Sequence, residues 1–427
     1  MTTSPIEWPN PARASAFAQW LAVTAGPYRL QVDSVRPASA DASFRRYFRI
    51  DAAAGSGSYI IMDAPPAQED CAPFVKVAAL MLEAGVHAPR VLAWDAPQGF
   101  MLLSDLGAQT LLDLIGPAAA VDAIARPTQT TYALFMDALD ALVRWQLASK
   151  PDVLPPYDDA LLSRELALFP HWYVGKHRGL ALDTGLQDKL DGLFLQIKAS
   201  NLQSLDGARV YVHRDFMPRN LMITLAGSSN EQQVAAPWTP ERSAGPPQAS
   251  TAPSGGSAVR EATSVGATER SAGPPQASSA PAPGERGSAV CEATSVGVLD
   301  FQDAVYGPIT YDIASLMRDA FLSWEEDFVL DVTVRYWEKA RKAGLPVGDD
   351  FGEFYRAVEW MGLQRHLKVL GIFARLTLRD GKPRYLADTP RFMKYARATC
   401  ARYRQLGPLM VLLDEIEGNE TRVGYTF

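Results

Sequence analysis

The chain has 427 residues, 47% of them hydrophobic and 10% aromatic, enough apolar material for one large core or two modest ones. A formal net charge of −7 without any long basic run argues against holding a nucleic-acid polymer by phosphate neutralisation. There is no cationic leader ahead of an apolar stretch, no run of about eighteen apolar residues, and only three scattered cysteines, Cys71, Cys291 and Cys400. The expectation is a cytoplasmic globular protein with no membrane span, disulfide frame or zinc site.

In chain order, "YRLQVDSV" (28–35), "SFRRYFRI" (43–50) and "SYIIMDA" (58–64) read as three successive strands. "CAPFVKVAALMLEAG" (71–85) reads as an amphipathic helix stopped by Gly85, and "RVLAWD" (90–95) and "GFMLLSDL" (99–106) as two further strands. The Gly-Ser-Gly at 55–57 precedes a strand rather than a helix, which makes it a hairpin turn, and no G-x-x-x-x-G-K-[ST] motif occurs. Beyond residue 106 the apolar spacing turns helical, in "YDDALLSRELALF" (157–169), "FVLDVTVRYWEKARKAG" (328–344), "VEWMGLQRHLKVLGIFARL" (358–376) and "PRFMKYARATCARYRQLGPLMVLLDEI" (390–416).

Residues 226–297 stand apart. They contain no Leu, Ile, Phe, Met, Tyr or Lys, and they repeat themselves: "ERSAGPPQAS" starts at 241 and again at 269, and "GSAVREATSVG" at 256 returns as "GSAVCEATSVG" at 287. Such a segment cannot bury enough apolar surface to offset the entropy of ordering, and two copies fall short of a solenoid. It is expected to be a disordered linker at the tip of a hairpin whose arms are "NLMIT" (220–224) and "VLDFQD" (298–303).

That hairpin draws together residues distant in sequence. "VYVHRDFMPRN" (210–220) supplies an acid, Asp215, and an amide, Asn220, five positions on; Asp300 follows at the end of the next strand. A proton acceptor for a hydroxyl nucleophile beside hard oxygen ligands for magnesium is what phosphoryl transfer requires. The pattern H-x-D-x-x-x-x-N followed by D-F-x-D resembles that of the aminoglycoside phosphotransferase-like small-molecule kinases, relatives of the protein kinases. "YGPITYDIASLMRD" (306–319) adds Asp312, where the family brings an acid back to brace the catalytic loop.

The resemblance implies an α+β, protein-kinase-like fold of two lobes: a nucleotide-binding N-lobe (1–106) with a five-stranded antiparallel sheet and one helix, then a mainly helical C-lobe in two parts (107–225 and 298–427) separated by the insert. It implies ATP and Mg2+, with Asp215 as catalytic base, Asn220 and Asp300 as metal ligands, and His213 holding the loop without taking part in the chemistry. Ser39 and Ser43, in "RPASADASF" (36–44), would cover the phosphates, and the adenine would lie against the hinge at Ser104, Asp105 and Leu106. The third strand carries Met62 where the family places a lysine; Arg46, Arg49 or Lys76 could supply that charge.

Strings such as "DASFRRYF", "IMDAPP", "HRDFMPRNLMI" and "VLDFQDAVYGPITYDIASL" resemble one branch, the bacterial N-acetylmuramate and N-acetylglucosamine anomeric kinases of cell-wall recycling. This implies a free amino sugar as the small-molecule partner, with no nucleic acid, membrane or obligate protein partner; the alternatives are a kinase for another small hydroxylated substrate such as an aminoglycoside, or a nucleotide-binding scaffold of weak activity. Such an acceptor calls for cations, amide partners and an aromatic face. Trp172 in "LFPHWYVGKHRG" (168–179), Arg365 and His366, and Arg219 and Asp303 beside the catalytic loop are the acceptor-pocket expectations.

Overall fold

The computed structural model describes residues 6–8, 10–40, 44–53, 57–116, 124–225 and 294–419; for Ser39, Ala40, Leu225 and Thr294 it describes the backbone alone. Ser43 and residues 226–293 of the insert therefore lie outside the described residues.

The N-terminal part is a sheet covered on both faces. Helix α1 (Pro11–Tyr28) starts at Asn10, whose side chain accepts the Arg13 amide at 2.8 Å, with Pro11 in the first turn where its missing N–H costs nothing. Strands β1 (Arg36–Ala40), β2 (Arg46–Asp51) and β3 (Ser58–Asp63) follow, then helix α2 (Ala72–Glu83) and strands β4 (Val91–Asp95) and β5 (Phe100–Ser104). All neighbours pair antiparallel, in the order β1-β2-β3-β5-β4. Strand alternation divides the apolar residues. Phe48, Ile50, Tyr59, Ile61, Phe100 and Leu102 pack beneath α1, whereas Met62, Met101 and Leu103 join α2 in the core that continues into the C-terminal part.

Two expectations change here. Residues 28–35 are not a strand: Tyr28 ends α1, Val32–Ser34 form a 3-10 turn, and the first strand is 36–40. The segment read as a phosphate loop is thus a strand over 36–40. Pro37 is tolerated because β1 is an edge. Helix α1, for which no expectation was made, buries Phe17, Trp20 and Leu21 against the sheet.

The C-terminal part is mainly helical. Helices α3 (Leu111–Ile115), α4 (Gln129–Leu147) and α5 (Asp159–Leu166), with the two-residue strand β6 (Ile124–Ala125) before α4, lead into a π-helix at Phe169–His177 and helix α6 (Thr184–Gln203). Strand β7 (Arg209–Val212) precedes the hairpin of β8 (Leu221–Leu225) and β9 (Thr294–Val298). The second hairpin arm is therefore 294–298, and of the expected 298–303 only Val298 pairs. Strand β10 (Val305–Pro308), helix α7 (Tyr311–Met317), the short β11 (Ser323–Trp324), helices α8 (Glu326–Lys342), α9 (Phe351–Leu378), α10 (Thr389–Arg402) and α11 (Gly407–Glu417) complete the chain. Gly371 lets α9 lie against the backbone before the π-helix; a Cβ there would stand 2.4 Å from the Leu168 carbonyl carbon and oxygen. Among the described residues no helix is long and apolar enough to cross a membrane.

Candidate active site

Strand β7 pairs antiparallel with β10 and delivers the loop His213–Asn220 to the surface of the C-terminal part. Asp312, in the first turn of α7 and wholly buried, accepts the backbone N–H of His213 at 2.7 Å and of Arg214 at 2.9 Å. Burial raises the Asp312 carboxyl above the usual carboxylate range, against the pull of His213 and those two donors. Arg214 takes a left-handed φ of 77°, a conformation rarely adopted by a residue with a side chain and maintained here by the contacts around it. His213 is fully buried, and its Nδ1 accepts the Asp215 N–H at 3.2 Å while Nε2 lies 3.0 Å from the Leu299 carbonyl. Only a neutral ring with its proton on Nε2 makes both bonds, and burial lowers the imidazole pKa in the same direction. His213 thus ties the Asp215 loop to the residue before Asp300.

Asn220 closes the loop. Its Nδ2 donates to the Asp215 carbonyl at 2.8 Å and lies 3.2 Å from Asp300 Oδ2, and its own carbonyl accepts the Leu299 N–H at 2.9 Å. Among the described residues the amide oxygen of Asn220 makes no hydrogen bond, and it belongs to a side chain that lies beside a carboxylate. Asp300, with a left-handed φ of 64°, also accepts from Gln302 Nε2 at 2.8 Å. No cluster of three or more His, Cys, Asp or Glu able to hold a metal occurs among the described residues. An ion at Asn220 and Asp300 would complete its shell with phosphate oxygens and water, the habit of magnesium at phosphoryl-transfer sites.

Behind the loop lies a charged network that sequence reasoning missed. Glu165 of α5, 5% exposed, accepts from Tyr157 Oη at 2.6 Å, Arg214 Nη2 at 2.6 Å, Gln364 Nε2 at 2.9 Å and Lys368 Nζ at 2.6 Å. Lys368 and Arg214 hold its carboxyl well below the usual range despite burial. Arg365 caps the network: Nη1 bonds the Arg214 carbonyl at 2.8 Å, Nη2 bonds Ser315 Oγ at 2.6 Å, and the guanidinium sits over the Tyr311 ring. The available signal was an acid at an apolar position of the helical period Leu162, Glu165, Leu166, Phe169.

Two clefts meet at the loop. One, of about 440 Å³, runs from Ser104, Asp105 and Leu106 beneath Tyr47 and Ile60 to Asn220 and Asp300. The other, of about 330 Å³, brings Asp215, Asp303, Arg219 and Arg365 together with apolar residues of α9 and Phe392. Ser104 Oγ accepts the Arg90 N–H, and Asp105 accepts from Ser58 Oγ and Arg49, both at 2.6 Å. Ser39 lies in β1, beside Ala38 of the first cleft.

Two expected positions, Arg46 and Trp172, fall elsewhere, and two more, Arg365 and His366, reach the second cleft with their polar groups engaged or shut from solvent. Arg46 faces the opposite side of the sheet, where it pairs with buried Asp63 and lies over Trp8, because β2 alternation turns Tyr47 and Arg49 rather than Arg46 toward the cleft. Trp172 packs against the C-terminal core and lines neither cleft. Arg365 is 6% exposed, with Nη1 and Nη2 engaged in holding the loop. His366 lines the second cleft between Phe392 and Tyr395, but its ring nitrogens are shut from solvent and have no partner among the described residues, so it offers the cleft its carbon edge.

A two-layered nucleotide-sized cleft above a helical base, with an acid-bearing loop and paired oxygen donors where they meet, is the architecture of the protein-kinase-like phosphotransferases. Residues 34–235 and 290–351 match the phosphotransferase enzyme family, and the chain belongs to it. It is 43% identical over 377 residues to an N-acetylmuramate/N-acetylglucosamine kinase of Pseudomonas aeruginosa, covering 88% of this chain and 87% of that one. A protein of the same name from Neisseria meningitidis is 41% identical over 396 residues, covering 91% of this chain and 93% of that one. Among solved structures, Plasmodium vivax ethanolamine kinase superposes with a TM-score of 0.51 at 11% identity, over 93% of this chain and 91% of that one. Choline kinase from Cryptosporidium parvum gives 0.50 at 10%, over 93% and 99%; these two likenesses concern the fold alone.

Proposed function

We propose that this chain transfers the γ-phosphoryl group of magnesium ATP to the anomeric hydroxyl of a free N-acetyl amino sugar, N-acetylmuramate or N-acetylglucosamine. The product is the sugar 1-phosphate, in the recycling of cell-wall sugars in the cytoplasm. The observation that carries the chemistry is Asp215 on a loop fixed at both ends, by Asp312 and by Asn220, with Asp300 beside it. Support for the acceptor comes from relatives at 41% and 43% identity named for those two sugars.

Asp215 would accept the proton of the attacking hydroxyl, the role a loop acid plays in this architecture. Asn220 and Asp300 would hold the divalent ion, which when bound screens the phosphate charge. The first cleft would hold the nucleotide, its adenine against 104–106, and the second would hold the sugar. Arg214, Arg219, Arg318, Arg365 and Lys368 border that second cleft against Asp215, Asp300 and Asp303, a balance that suits a neutral or anionic sugar better than a polycationic antibiotic.

The test is transfer from magnesium ATP to N-acetylmuramate, N-acetylglucosamine, glucose and kanamycin, with the product position read by phosphorus NMR. Wild type is expected to give a 1-phosphate of an N-acetyl sugar, and Asp215→Asn to lose it while still binding nucleotide. Transfer to kanamycin alone would overturn the acceptor; full activity of the variant would overturn the base.

A further inference from the structure

Kinases of this architecture hold the nucleotide phosphates with a lysine on the third strand. Here that place is Met62, fully buried in the apolar core. The neighbouring cations are engaged. Arg46 is on the far face with Asp63, and Lys76 donates to the Val153 carbonyl. Arg49 lines the nucleotide cleft but is paired with Asp105 and bonded to the Gly107 carbonyl at 2.6 Å, at the hinge end.

Arg219 differs from all of these. It sits on the 3-10 turn Pro218–Asn220, one peptide bond from Asn220, and borders both the nucleotide cleft beside Asp300 and the acceptor cleft beside Asp215. It makes no hydrogen bond or ion pair with a described residue, and its guanidinium lies 5.2 Å from the Phe321 ring centroid. The other cations of the acceptor cleft are all bonded: Arg214 and Lys368 to Glu165, Arg318 to Glu326, Arg365 to Ser315 and the Arg214 carbonyl. Asp319, which feels the charge of Arg219, is pushed up to about 7 by burial and so is only partly ionised near neutrality.

We propose that Arg219 supplies the charge missing at position 62, contacting the terminal phosphates of the nucleotide and the phosphoryl group as it passes to the acceptor. This rests on the kinase reading above. A guanidinium suits the task, since its fork of donors matches phosphate oxygens and it stays charged at any working pH. Its place where the clefts join, beside the proposed metal ligand, is the place of the transferring group rather than of the sugar's substituents.

The experiment uses full-length Arg219→Met and Arg219→Lys with two independent readouts. The first is kcat and KM on both N-acetyl sugars. The second is calorimetric affinity for AMP and for a non-hydrolysable ATP analogue in magnesium, with thermal melting to establish folding. Arg219→Met is expected to lose about 10²–10³-fold in kcat, equally on both sugars, as for removal of one transition-state donor. Its affinity should fall for the ATP analogue and not for AMP, and Arg219→Lys should recover part of both losses. A loss confined to N-acetylmuramate would reassign Arg219 to the acceptor carboxylate and overturn the proposal. Unchanged analogue affinity with unchanged kcat would also overturn it. If wild type phosphorylates neither sugar, the acceptor assignment falls, while the ratio of analogue to AMP affinity still decides the role of Arg219.

Discussion

Replacing Glu165 with Gln removes one charge and almost no volume, so its effect isolates the electrostatic anchor behind the Asp215 loop. In the wild type one carboxylate, 5% exposed, satisfies Arg214, Lys368, Tyr157 and Gln364. The Arg214 and Lys368 side chains are 19% and 12% exposed, so neither recovers full hydration when the partner is neutralised. Breaking a buried pair from one side costs about 3–5 kcal/mol. The residual exposure of both cations and the amide oxygen that Gln retains place this variant at about 3 kcal/mol. Arg214 is the residue immediately before Asp215, and a shift of about 1 Å in the proposed base should cost about 10²-fold in rate. Denaturant unfolding and kcat should therefore fall together, with KM for ATP little changed. Glu165→Gln with Lys368→Met should be less destabilised than the two single changes added, because the second removes a charge the first has left unpaired. Because the carboxyl is depressed in the folded protein, its contribution is present above the ordinary glutamate pKa of about 4.3 and fades as pH falls below it. A variant as stable and as active as wild type at pH 7 would refute the anchor.

Asp312→Ala leaves the buried N–H groups of His213 and Arg214 without their acceptor, at about 1–3 kcal/mol for each, and kcat should drop alongside unfolding stability. Asp319, pushed up to about 7 from an ordinary 3.8, gives stability that is complete below about pH 4 and lost as pH rises through 7, about 4 kcal/mol in all; Asp319→Asn should flatten that slope in unfolding measured from pH 5 to 8. Deleting 228–292 joins Leu225 to Thr294 through Ala226, Gly227 and Ala293, a connection of hairpin length, and kcat should be preserved; loss of folding or turnover would show that the insert takes part.

The juxtaposition of Asp215, Asn220 and Asp300 was legible in the sequence because its parts are local: Asp215 and Asn220 are five residues apart, and Asp300 follows a strand that pairs directly with the one after Asn220. The sheet was legible from alternation, except at its first edge. There a helix ending at Tyr28 followed by a 3-10 turn left an apolar spacing in 28–35 that resembles a strand, and Pro37 disguised the strand itself. The Glu165 network was not legible, since α5, the loop and α9 meet only in the folded chain and no spacing relates residues 165, 214 and 368. Which side of β2 faces the cleft was also undecided without the register against β3; that one-residue choice exchanges Arg46 for Arg49.

The boundary of the insert carries a further lesson about composition and pairing. Strand β9 begins with Thr-Ser-Val-Gly (294–297), the closing residues of the second repeat copy, and the same four residues occur at 263–266. Composition assigns both copies to the insert. The second copy alone runs on in sequence into Val-Leu-Asp-Phe, so that Val298 meets Leu221, the Leu299 N–H meets the Asn220 carbonyl, and Asp300 arrives beside the Asn220 amide. Four residues of weak strand character are thus fixed by a buried partner strand and by the bond from Val298 N–H to the His87 carbonyl, rather than by their own propensity. The family match, which resumes at residue 290 after stopping at 235, is divided near the same place. A long, repeat-bearing excursion can therefore separate two proposed metal ligands by 80 positions without moving them apart, provided the first paired residues on either side keep their register.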